Sequence, residues 1–328
     1  MKRLFAPMAV AVMLSLGACH QGRQNGGPQA ATAAKTDSTA APADGQESAL
    51  EFPPLMAFVV KGAPLFVPFN DGDLPDQGRS LRQSPEGYAL FLLGDEAFDV
   101  SFAKEKNKEL KEDESSINQY LYKEADKMKG MTYDFARADD VKKYMDTHGD
   151  MLPEGDIVPM EMAEGVLVGR DYMKQHVLLN VQPTTTEDPD GPTFPEAVVR
   201  KVEKMIGMKV ETGRVSAVFG KAEYEFGVMT TAKQDNMALG VYVLTKGSDV
   251  SISVDTLRAN VEDGNIDWSM ADPDSYMEPS VSVVAKSDAG LEIFCSVPDE
   301  ETTEYLLLRQ KGDRLKRERM GAFLLRYE

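Results

Sequence analysis

The chain has 328 residues, of which 42% are hydrophobic and 27% charged, a globular balance that excludes an intrinsically disordered protein. That length leaves room for two ordinary domains beside a leader and a linker. The formal charge of -18 sets the chain against nucleic acid and anionic lipid surfaces as partners.

The N-terminus opens on Lys2 and Arg3, continues as an apolar run over residues 4–16 broken only by Pro7 and Ser15, and ends on the small pair Gly17 and Ala18. This is the pattern of a signal peptide over residues 1–18. The run of about 13 residues falls short of the ~20 that a membrane-spanning helix needs. Leu16-Gly17-Ala18-Cys19 resembles the lipobox of bacterial lipoproteins. The resemblance covers the signal alone. It implies that Cys19 becomes the first mature residue, carrying a diacylglyceryl thioether and fatty acid such as palmitate on its amine. Two or more acyl chains anchor a protein stably where one does not. His20, in place of Asp, points to the outer membrane by the sorting rule of enteric bacteria. Loss of Lys2 and Arg3 would take the charge from -18 to -20. With Cys19 lipidated, Cys295 has no partner, so no internal disulfide is expected even in a compartment that permits one.

Residues 19–50 are Gln, Gly, Ala, Thr, Ser and Pro with scarcely a large apolar side chain, and such a segment reads as a flexible tether. Its root-mean-square reach is about 30 Å. Order begins near Phe52, where residues 56–60 and 64–69 read as short strands. Residues 70–87, rich in Asp, Gly, Pro and Ser, read as a loop. Residues 88–93 and 97–102 predict a hairpin turning at Gly94-Asp95-Glu96, with Phe98, Val100 and Phe102 alternating against Asp99 and Ser101. Ile117, Tyr120, Leu121, Glu124 and Met128 form one helical stripe. Val141, Tyr144 and Met145 form another, with Gly149 as its cap. Residues 166–168 and 177–181 are expected to pair around Gly169-Arg170-Asp171. Together, residues 51–182 would make an N-terminal α+β domain.

Residues 183–192 form a Thr/Asp/Pro boundary, and residues 183–328 a second α+β domain. Thr193-Phe194-Pro195-Glu196 fits a capping box, after which Phe194, Val198, Val202, Met205 and Ile206 share one face until Gly207. Strands over 210–219, 223–231, 238–245 and 250–254 predict a β-meander beneath that helix, an order similar to cystatin-like folds as architecture only. An acidic loop spans 258–279. Two hairpins then pair 281–286 with 291–297 and 304–310 with 315–327. The expected fold is thus α+β, two domains dominated by antiparallel strands.

The chemistry-bearing residues are sparse. His20, His148 and His176 are spread too far apart for a zinc motif, and no cysteine pair exists, so no metal and no cofactor is expected. His148 reads as a helix-end residue and His176 as a strand residue. Ser101-Phe102-Ala103-Lys104 and Ser116-Ile117-Asn118 match fragments of the penicillin-recognising pattern, but Ser101 ends a strand where that chemistry needs a helix. Asp71-Gly72-Asp73 opens like a calcium loop and Pro75 then breaks the spacing. Cys295, sharing a face with Leu291, Ile293 and Val297, reads as a buried small hydrophobe. Trp268 reads as a loop anchor, with stacking on a glycan as its alternative role. The resulting expectation is a lipid-anchored cell-envelope protein, a non-enzymatic binding or assembly module meeting an envelope protein or glycan. The alternative is an envelope hydrolase with carboxylates brought together from distant loops.

Overall fold

Alternating and fully apolar runs decide where strands form, and strands carry most of the described residues. The computed structural model describes residues 51–60, 64–69, 75–106, 129–148, 162–184, 191–262, 265–267, 278–298 and 302–324. The signal, Cys19, the tether, the stripe at residues 117–128, Gly149 and Trp268 lie outside the described residues.

The first body is a closed antiparallel barrel. Its strands are β1 (Leu55–Val60), β2 (Leu65–Pro68), β3 (Tyr88–Leu93), β4 (Glu96–Lys106), β5 (Gly130–Phe135) and β6 (Met162–Gly169), ordered β1-β2-β5-β4-β3-β6 with β6 paired back to β1. Inside lie Leu55, Ala57, Val59, Phe91, Tyr133 and Leu167. The alternate residues of the same strands, Met56, Phe58, Leu90, Leu92, Val166 and Val168, are buried as well, in a second cluster outside the barrel. Burial on both faces explains why β1, β3 and β6 are almost continuously apolar.

The second body is a ten-stranded sheet. It contains β7 (Val177–Leu178), β8 (Val181–Pro183), β9 (Val210–Phe219), β10 (Tyr224–Thr231), β11 (Met237–Lys246), β12 (Asp249–Arg258), β15 (Ser280–Ser287), β16 (Gly290–Pro298), β17 (Thr302–Lys311) and β18 (Arg314–Leu324). Two antiparallel meanders, β9 to β12 and β15 to β18, meet where β12 and β18 run parallel at Ile252 and Arg314. The outermost strands β7 and β8 are sequence neighbours, so the sheet curls until residues 177–183 bridge its ends. Leu179 N–H donates to Val284 O at 2.9 Å, and Gly220 N–H to Asn180 O at 3.3 Å. Phe219, Phe226, Tyr242, Ile293, Cys295 and Leu306 fill the inside of the curl.

The outer face of the sheet is divided between two covers. Over β9 to β12 lies a helix, Glu196–Ile206, whose Val198 and Val202 pack on Val215, Met229, Val241, Val243 and Val250. Over β15 to β18 lies the barrel: Val283, Phe294, Tyr305, Leu307 and Met320 close on Phe58, Leu92 and Val166 across one shared apolar seam. Residues on both sides of 183 therefore belong to a single unit spanning 49–328.

Antiparallel strands dominate as expected, and hairpins form at 88–106, 280–298 and 302–324. Among the described residues helices are few, namely α1 (Pro75–Gln83), α2 (Ala138–His148), α3 (Tyr172–Gln175) and α4 (Glu196–Ile206), so the described fold is β-dominated, not an even α+β mixture. Four local expectations are corrected. Residues 70–87 are not all loop, because α1 and a 3-10 turn at Pro85–Gly87 form there, with Leu81 buried in the barrel cluster. Residues 166–168 and 177–181 do not pair: β6 is taken by β1 and β3, β7 joins β15, and β8 joins β9. Thr193 does not cap α4, whose N-cap is Pro195 and lacks a side-chain cap bond. The acidic loop contains a small hairpin, β13 (Asn260–Glu262) with β14 (Asn265–Asp267).

Candidate functional site

A polar cleft opens between the first residues of β4 and the outer face of α2. Val141 and Met145 turn inward and bury in the barrel core. The positions left facing out, Asp140, Lys143, Tyr144, Thr147 and His148, recur at three- and four-residue spacing and so form one stripe. That stripe faces Glu96, Ala97, Phe98 and Asp99, with Ala136 and Arg137 at the turn before α2, around a cavity of about 490 Å³.

Its centre is aromatic. Tyr144 and His148 stack with ring centroids 4.2 Å apart, and Phe98 meets Tyr144 edge-on at 5.8 Å. His148 Nδ1 lies 3.1 Å from Tyr144 O, which leaves Nε2 for other partners. The Tyr144 hydroxyl donates to Asp95 Oδ1 at 3.1 Å, while Asn180 Nδ2 donates to Asp95 Oδ2 at 3.2 Å. Burial, and then the nearby Asp95 carboxylate, push the Tyr144 hydroxyl well above its ordinary range. Gly94 makes this contact possible. Its φ of +56° is left-handed, and a Cβ there would stand 2.2 Å from the Tyr144 hydroxyl. The same glycine N–H donates to Ser282 O at 3.2 Å, so the β3–β4 turn is held by α2, by Asn180 and by β15.

The rim carries both signs of charge. Arg170 pairs with Asp99 at 3.0 Å, and Arg137 with Asp140 at 3.5 Å. The Thr147 hydroxyl donates to Lys143 O at 2.7 Å. Hydroxyl and imidazole are thus engaged separately and are not aimed at one another as nucleophile and base. The arrangement is suited to holding a polar ligand by stacking and hydrogen bonds.

Other ionisable groups are built into the seam. Tyr172 Oη donates to Glu292 Oε2 at 2.6 Å, and Arg309 Nε stands 3.1 Å from Glu292 Oε1. His176 follows α3 instead of lying in a strand; it stacks on Tyr172 at 3.9 Å and places Nε2 3.8 Å from Glu292. Cys295 is buried as expected beside Leu291 and Ile293, and burial pushes its thiol up to about 12, where it is no nucleophile. His148 stands at a helix end, as its sequence position suggested, and proves to line the cleft. Asp95, Phe98 and Asn180 had no functional signal in the sequence beyond the turn and alternation that contain the first two. Among the described residues, no group of three or more His, Cys, Asp or Glu is placed to share a metal ion.

Compared with known proteins, the chain matches no protein family, no curated protein and no solved structure.

Proposed function

We propose that this protein is a lipid-tethered binding module of the bacterial cell envelope, with the cleft between β4 and α2 as its ligand-facing surface. The observation that carries the reading is the N-terminal sequence: Lys2 and Arg3, a short apolar run, and Leu16-Gly17-Ala18-Cys19. Lipid on Cys19 would fix the chain to a membrane, in a Gram-negative cell the outer one by the identity of His20. Residues 19–50 would let the body stand off by about 30 Å. Both β bodies are filled by their own side chains, so recognition falls to the outside, where the cleft lies.

Binding is favoured over carboxylate-based hydrolysis for a specific reason. Such a hydrolase needs carboxyls with raised pKa within a cleft. Among the described residues, burial holds Glu164 and Glu278 above the ordinary carboxylate range, and neither lines this cleft. The Cys19→Ala variant tests the tether: acyl labelling should be lost and the body should leave the membrane fraction. Retained labelling with unchanged sedimentation would refute it.

A further inference from the structure

We infer that the cleft between β4 and α2 takes a neutral polyhydroxylated ring, that is, an uncharged glycan unit. The inference deepens the proposal that the protein is an envelope binding module and rests on it.

A pyranose presents two chemistries at once, a face of C–H groups and a rim of hydroxyls that both donate and accept. The cleft offers the complement of each. Phe98, Tyr144 and His148 are partly exposed and packed together, a ring surface that a C–H face can cover. Around them the side chains alternate between acceptors and donors: Glu96, Asp99 and Asp140 accept, whereas Arg137 and Lys143 donate. Three carboxylates against two cations and one imidazole leave no field of a single sign. A phosphate or polyanion would meet the carboxylates, and a polycation would meet Arg137 and Lys143. The chain's charge of -18 opposes anionic polymers further. The cavity of about 490 Å³ lies within the roughly 300–1,000 Å³ of small-molecule sites. The aromatic centre is also held in place. The Tyr144 hydroxyl is tied to Asp95, which Asn180 holds from the other side, so the ring is ordered before a ligand arrives.

The test is titration calorimetry on the full chain in a detergent without a sugar headgroup. The probes are chitotetraose and maltotetraose, with a heparin tetrasaccharide and tetralysine as charged counterparts. At least one neutral tetrasaccharide should bind, with an affinity insensitive to added salt because no net charge is neutralised. Tyr144→Phe retains the ring and should keep most of the affinity. Tyr144→Ala removes the ring on which His148 stacks and which Phe98 meets edge-on, and should lose roughly tenfold. Asp140→Asn alters an exposed rim acceptor without touching the core and should weaken binding severalfold. Absence of binding by both neutral sugars, tighter binding of either charged probe, or neutral binding indifferent to Tyr144→Ala and Asp140→Asn would overturn the inference. Lipid on Cys19 is measured separately. A lipidated chain that binds no neutral sugar would leave the tether standing and refute the glycan; an unlipidated chain that binds one would do the reverse.

Discussion

Glu164 projects from β6 out of the barrel and into the seam, where the Tyr305 hydroxyl donates to its Oε1 at 2.6 Å. Its Oε2 is shielded from solvent. Burial pushes this carboxyl above its ordinary value, and the Tyr305 and Ser296 hydroxyls offset only part of that rise. The folded state therefore holds the Glu164 proton more tightly than the unfolded chain does. Its contribution to stability is full below the unfolded carboxylate pKa and is lost as pH rises through the folded one. Glu164→Gln keeps an acceptor for Tyr305 and removes the ionisation. The variant should gain on wild type as pH rises from the acid range to neutral, measured by denaturant unfolding at a series of pH values. A difference that stays constant with pH would show that Glu164 is not the titrating group. Glu292, also buried, accepts the Tyr172 hydroxyl on one oxygen and has Arg309 beside the other.

At the scale of elements, α4 was legible because its apolar residues repeat every three or four positions, and Val198 and Val202 do face the meander. Its start was misread. Thr193 and Glu196 have capping-box spacing, but Pro195 at the cap position sets φ at -56° without a side-chain bond. Val202→Ala removes buried methyls and should cost on the order of 1–3 kcal/mol. Lys201→Ala should stay within about 0.5 kcal/mol, because its exposed ammonium donates a hydrogen bond to Ser248 O at the surface. Thr193→Ala should likewise cost less than about 0.5 kcal/mol, no cap being lost. Chemical denaturation orders the three; a Thr193→Ala loss matching Val202→Ala would restore the cap. The helix α1 was hidden for a different reason. Asp, Gly and Pro dominate its neighbourhood, and Leu81 is its buried apolar anchor. Residues 166–168 and 177–181 lie close enough for a local hairpin, whereas β6 is claimed by β1, over a hundred residues upstream. In the cleft, the sequence puts Tyr144 in the apolar stripe of α2 and His148 at its end, and Phe98 meets Tyr144 only because β4 and α2 fold together.

Over the whole molecule, sequence composition marked a boundary at 183–192, yet packing joins what lies on either side. Phe58, Leu92 and Val166 of the barrel share one cluster with Phe294, Tyr305 and Leu307 of the sheet. A boundary of composition says where the chain changes character, and it carries no information about which apolar faces later meet. The body should therefore unfold in one cooperative transition, and Phe294→Ala should shift the whole of it by about 3–5 kcal/mol. Two transitions, only one of them moved by Phe294→Ala, would contradict a shared seam. The proposed role depends on a second linkage, between this body and a membrane, and its most direct test is the mass of the mature N-terminus. Protein purified from membranes and digested should yield an N-terminal peptide that begins at Cys19, carries a diacylglyceryl group on sulfur, and is absent from the Cys19→Ala variant. An N-terminal peptide that still begins at Met1, or begins at Cys19 with a free thiol, would contradict the tethered module.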